Sequence, residues 1–159
     1  MMLQLANFRC AKCNSQFSAP ILRSGAYAEF LLRNPKNNSL AHLDALEDKT
    51  YDEVDALLKI SLYSKGKSAN QLAEVLRNIY GSIACDPDEN GDYYQIGALP
   101  SCPSCHHQGI SHWEAIEPPV FIDEAIPSVT HKAWTSLSSQ EKSTKINNFL
   151  KNYDPDHKS

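Results

Sequence analysis

Two Cys-x-x-Cys pairs, Cys10-Ala11-Lys12-Cys13 and Cys102-Pro103-Ser104-Cys105, carry most of the chemistry that can be read from this chain. Two residues between paired cysteines let one tight turn aim both sulfurs at a single ion. Four thiolates suit the tetrahedron that zinc prefers, with bonds of about 2.3 Å. Cys10, Cys13, Cys102 and Cys105 are therefore expected to be the ligands of one structural Zn2+. A site closed by four cysteines leaves no position for water, so hydrolysis at the metal is not expected and the chain reads as a non-enzyme. His106 and His107 are alternative ligands for one sulfur, read here as knuckle surface.

Other motifs are weaker. Cys102-Pro103-Ser104-Cys105-His106 also spells the c-type haem attachment pattern, which would leave Cys10 and Cys13 unexplained. Redox exchange at either pair wants a βαβ context that the sequence lacks. Asp86-Pro87-Asp88-Glu89-Asn90-Gly91-Asp92 imitates the first half of a calcium loop, but its twelfth position is Gly97 and not glutamate. Gly66-Lys67-Ser68 ends like a phosphate-binding loop without the earlier glycine, so Ser68 reads as a helix cap. Cys85 reads as a small buried residue, and Trp113 and Trp134 as core or interface anchors.

The elements that must hold the cysteines are short strands. Met2 to Phe8 leads into the first pair and Phe17 to Leu22 leads away. Tyr93-Tyr94-Gln95-Ile96 approaches the second pair, and the alternating segment Ile110 to Ile116 leaves it. Phe8-Arg9-Cys10-Ala11-Lys12-Cys13 with Phe17, and Pro100-Ser101-Cys102-Pro103-Ser104-Cys105, resemble the two knuckles of a zinc ribbon. In compact ribbons the pairs lie about 15–20 residues apart, whereas 88 residues, 14 to 101, separate them here. The resemblance therefore implies a split ribbon interrupted by an inserted subdomain.

The predicted fold class is α+β in a single domain, 1–159: ribbon halves at 1–23 and 93–117 with a small antiparallel sheet, a helical insertion at 24–92, a connecting segment at 118–137 and a C-terminal helix at 138–153. Within the insertion, Thr50 with Glu53 makes a capping box ahead of Tyr51, Val54, Leu57, Leu58 and Leu62. Ser68 with Gln71 makes a second, ahead of Leu72, Val75, Leu76, Ile79 and Tyr80, with Gly81 as the stop. Gly25 to Arg33 and Ser39 to Glu47 are predicted as further helices. Ser138 with Glu141 opens the last helix, carrying Ile146, Phe149, Leu150 and Tyr153, with Asp154-Pro155 as its stop and a frayed tail from Asp156.

Composition narrows the function. The chain has 159 residues, 42% of them hydrophobic, and a formal net charge of −4, which gives no general pull toward phosphate backbones or anionic lipid. No secretory signal and no membrane-length apolar run are visible, and five cysteines is an odd count. A reducing cytoplasm and no membrane partner are expected. Residues 1–40 hold five basic and one acidic side chains, whereas residues 81–124 hold eight acidic and no lysine or arginine. The acidic side chains Asp44, Asp48, Asp52, Asp86, Asp88, Glu89 and Asp92 are the expected docking surface for a basic protein partner. In type, though not by motif, the chain resembles bacterial immunity proteins, which cover a nuclease toxin's nucleic-acid site with carboxylates; this implies toxin neutralisation. The alternative is an accessory of transcription or nucleic-acid processing that binds through Arg9, Lys12, Arg23, Arg33 and Lys36.

Overall fold

The computed structural model describes residues 1–153, so the expected stop at Asp154-Pro155 and the tail from Asp156 lie outside the described residues. The described residues are mixed α and β, with two small antiparallel sheets and four helices. The first sheet is built on β1 (Met2–Cys10), which pairs with β2 (Gln16–Ile21) on one side. On the other side it pairs with both β6 (Ile110–Ala115) and β7 (Phe121–Asp123). The second sheet has the order β4-β3-β5, from β3 (Glu29–Arg33), β4 (Leu40–Asp44) and β5 (Gln95–Ile96). Helices α1 (Lys49–Ile60) and α2 (Ala69–Ala84) lie between the two halves of the second sheet in sequence, and α3 (Lys132–Thr135) and α4 (Ser139–Lys151) close the chain.

The insertion is not a helical bundle. Residues 25–33 and 39–47, expected as helices, instead contribute the hairpin β3 and β4, paired from Glu29↔Asp44 to Arg33↔Leu40. The turn between them is closed by the Asn34 amide donating to Ser39 O at 2.9 Å and by Asn38 in a left-handed conformation, φ 62°. Asparagine tolerates that conformation better than most residues. In β4 only Ala41 and Leu43 are fully buried, a period of two that suits a sheet and not a helix.

Three further expectations shift. Asp48, not Thr50, caps α1, its Oδ1 accepting from the Thr50 and Tyr51 amides at 3.0 and 3.3 Å. Glu53 pairs with Lys142 of α4 at 2.7 Å instead of closing a capping box. Leu62, expected on the buried face, stands exposed in a 3-10 turn, Leu62–Ser64. The connecting segment also contains β7 and a parallel bridge from Ser128 to His42, so 118–137 is more structured than expected. The capping boxes at Ser68 with Gln71 and at Ser138 with Glu141 are both present.

Helix α2 runs past Gly81 to Ala84 because Gly81 is a contact point and not a stop. A Cβ built there would lie 1.8 Å from the Tyr94 carbonyl oxygen, a clash with backbone that no rotamer relieves. Gly81→Ala should therefore lower stability by roughly 1–3 kcal/mol, the range of overpacked cores, despite alanine's better helix propensity. Chemical denaturation measures this, and an unchanged or raised midpoint would contradict the packing.

The main core belongs to the insertion and the C-terminal helices. Leu32 and Leu43 of the second sheet meet Val54 and Leu58 of α1, Leu76, Ile79 and Ile83 of α2, Trp134, and Ile146 and Leu150 of α4. The first sheet is stabilised separately. Phe8 is buried between Phe17 and Trp113, each ring stacked on it at 5.7 Å across adjacent strands. Trp134 is thus core, whereas Trp113 is a rung of the first sheet with 44% of its surface exposed. No helix among the described residues is long and apolar enough to cross a membrane.

Candidate metal centre

Strand β1 ends at Cys10, and the chain reverses over 11–15 before β2 begins. In this turn the Cys10 amide donates to Ser15 O at 2.9 Å and the Asn14 amide to Cys10 O at 3.1 Å, with Asn14 at φ 64°. The second pair repeats the pattern. There the Cys102 amide donates to His107 O at 2.9 Å and the His106 amide to Cys102 O at 2.8 Å, with His106 at φ 62°. Backbone N–H groups also point at the first sulfur of each pair: Lys12 and Cys13 at Cys10 Sγ (3.4 and 3.5 Å), and Ser104 at Cys102 Sγ (3.4 Å). Such donors favour the ionised sulfur, which is the form that binds metal.

Topology brings these two matching turns together. Strand β6 leaves the second turn and pairs with β1, while the Ala11 amide donates to Gly109 O at 3.0 Å. Cys10 Sγ then lies 3.5 Å from Cys105 Sγ, and Cys13 Sγ 3.6 Å from Cys102 Sγ. All four sulfurs lie within 4.8 Å of one another. A tetrahedron with bonds of about 2.3 Å has edges of about 3.8 Å, so the sulfurs fit around one zinc ion with small adjustments. Among the described residues this is the one such cluster of His, Cys, Asp or Glu donors, and neither His106 nor His107 belongs to it. Cys10 and Cys102 are buried, Cys105 is half-buried and Cys13 is exposed.

Cys13 and Cys105 are electrostatically unequal. Hydrogen bonding by the Ser15 side chain and backbone holds Cys13 down at about 6. At Cys105 the His107 backbone contact acts downward, but burial and the three neighbouring sulfurs push it up to about 11. Four thiolates do not coexist at this spacing without a cation. A bound divalent ion would supply the compensating charge, and its uptake would release protons.

The insertion positions the second turn through polar struts. Asn38 at the tip of the β3–β4 turn donates to Ser101 O at 3.0 Å, and its Oδ1 accepts from the Ser101 amide at 2.8 Å, next to Cys102. That tip is held from behind by Asp88, whose Oδ2 accepts from Asn34 and Asn37, both at 2.7 Å, while its Oδ1 accepts from the Asn90 and Asp92 amides. Arg33 donates through Nη1 to Ala98 O at 3.1 Å and through Nη2 to Pro20 O, tying the exit from one turn to the approach of the other. Strand β5, expected to approach the second pair within the ribbon sheet, pairs with β3 instead. None of these struts has a spacing motif, and only the Asn-rich run 34–38 signals a turn.

Most of the expected docking carboxylates are engaged within the fold. Asp48 is half-buried against His131 and Tyr80, at 2.8 and 2.9 Å. Asp86 caps the start of α3 by accepting from the Lys132 and Ala133 amides and from Thr130. Asp88 holds the β3–β4 turn as described, and Asp92 pairs with Lys36 at 3.1 Å. Asp44 accepts from the Leu46 amide, leaving Asp52 and Glu89 exposed and, among the described residues, without an ion pair. The 86–92 run is therefore a structural turn, and Ser68 is likewise a helix cap. Of the basic candidates, Arg33 is buried, Lys36 is paired with Asp92, and Arg9 is bonded to Asn14 at 3.3 Å, leaving Lys12 and Arg23 exposed. No protein-family model, curated protein or solved structure matches this chain.

Proposed function

We propose that the four cysteines form a split zinc ribbon whose metal is structural, and that the protein is a non-catalytic binding module for a basic protein partner. The observation that carries the first part is the pair of turns with the same hydrogen bonds, converging four sulfurs with no further donor among the described residues. Four thiolates fill a zinc tetrahedron, so the ion serves as a cross-link between segments far apart in sequence. The partner class is inferred from the acidic balance and from the exposed Asp52 and Glu89. A nuclease-type toxin, neutralised in a reducing bacterial cytoplasm, has the required basic surface.

Complementary charge speeds encounter and is screened by salt. The test is an affinity capture from the native host at moderate salt, with proteins and nucleic acids both identified, repeated with Asp52→Lys/Glu89→Lys. A basic protein retained by the wild type and released by the double variant is the expected result. Retained nucleic acid, or retention indifferent to the double variant, would overturn the partner assignment without touching the zinc assignment.

A further inference from the structure

Arg33 has only 3% of its surface exposed, and among the described residues no carboxylate forms an ion pair with it. Its two terminal nitrogens reach the neutral carbonyls of Ala98 and Pro20, which leaves its positive charge unmatched and further guanidinium N–H groups unspent. Buried charges are ordinarily paired, because taking a charge out of water costs several kcal/mol. Bracing two carbonyls needs only a neutral amide donor, so the bracing does not explain why a cation stands there.

Beside Arg33 a cleft of about 380 Å³ opens between β2 and the β3–β4 hairpin. Phe17, Pro20, Leu40, Pro100 and Ile126 give it apolar walls, and the other charged side chain lining it is the exposed Glu124. The volume falls within the about 300–1,000 Å³ of small-molecule sites, which combine apolar walls with a few convergent polar groups.

We propose that this cleft binds a small organic monocarboxylate, its carboxylate against the Arg33 guanidinium and its apolar body between Pro20, Leu40 and Pro100. A guanidinium presents paired N–H groups that match a carboxylate's two oxygens. Glu124 opposes a second negative charge, so the site discriminates against phosphate and dicarboxylates. The proposal is independent of the zinc and partner assignments.

The test uses zinc-loaded full-length protein with nitrogen-labelled arginine side chains and backbone, titrated with phenylacetate and, at equal ionic strength, with inorganic phosphate. Saturable movement of the Arg33 Nε–H signal and of the Ser18 and Ser39 amides with phenylacetate, and none with phosphate, is expected. Arg33→Lys keeps the charge but loses the fork and should weaken binding roughly tenfold or more. Ala125→Trp should do the same by covering the cleft mouth while leaving the Arg33 bonds intact, which separates occlusion from unfolding. A linear response without saturation, equal responses to both anions, or undiminished binding in Ala125→Trp would overturn the site.

Discussion

Serine in place of Cys10 or Cys102 is expected to remove zinc and to unfold the first sheet while sparing the rest. Both cysteines are fully buried, and each opens a turn that aims backbone N–H at its sulfur, two groups at Cys10 and one at Cys102. Structural zinc contributes roughly 10–16 kcal/mol of apparent binding energy at neutral pH, and a serine hydroxyl is a poor replacement for a thiolate. The main core, from Leu58 and Ile79 to Trp134 and Leu150, contains none of the four ligands. Helical circular dichroism should therefore persist while amides of β1, β2 and β6 lose protection from hydrogen exchange. Cys85→Ser is the control, because Cys85 packs in that main core and its thiol is pushed up by burial. It should keep full zinc content. Unchanged zinc and unchanged exchange in Cys102→Ser would contradict a shared site.

A smaller but still large loss is expected at Asp48, which joins three elements. Its Oδ1 caps α1, and its Oδ2 accepts from Tyr80 of α2 at 2.9 Å and from His131 Nε2 at 2.8 Å, with the other His131 nitrogen 2.7 Å from Ala84 O. With acceptors on both sides, the surroundings of His131 favour the doubly protonated imidazolium. Burial acts against its charge, but the hydrogen bonds to Asp48 and Ala84 and the nearby Asp86 prevail and raise it above its ordinary 6.5. Burial likewise acts against ionised Asp48, and the contacts from His131 and Tyr80 prevail to hold it below its ordinary 3.8.

The signs give the pH window. The raised histidine contributes stability that is complete below 6.5 and lost as pH rises through its folded-state value. The lowered aspartate contributes stability that is complete above 3.8 and lost as pH falls through its own lowered value. Between these limits both are present, and the contribution declines on the alkaline side. Asp48→Asn should cost about 3 kcal/mol near pH 6, as for other buried pairs broken by removing one partner, and should flatten the decline between pH 6 and 9. Urea denaturation across that range measures both, and a variant that keeps the wild-type slope would contradict the pairing.

How much of this was readable follows from the physics of each signal. The cysteines were legible because metal ligation imposes spacing, and α2 and α4 because their capping boxes precede long amphipathic runs. The hairpin β3–β4 was misread because Leu31-Leu32 and Leu40 to Leu43 are short apolar runs, whose period is ambiguous over a single turn of helix. The Asn34 to Ser39 turn was the better guide, as was the inward alternation of Ala41 and Leu43. The roles of Asp48, Asp86 and Asp88 were illegible because each holds partners far along the chain, 32 and 83 residues away for Asp48, 44 to 47 for Asp86 and 49 to 54 for Asp88. Charge runs advertise surface, and here several were spent inside the fold. Arg33 illustrates the same limit, since a lone arginine at a strand end reads as solvated until its burial is seen.

The most direct test of the zinc account is X-ray absorption at the zinc edge on protein purified without added chelator, with metal content measured on the same sample. One zinc per chain, surrounded by four sulfurs at about 2.3 Å, is the expected result. Nitrogen or oxygen in the first coordination shell, or a protein that folds and exchanges normally without any metal, would contradict it.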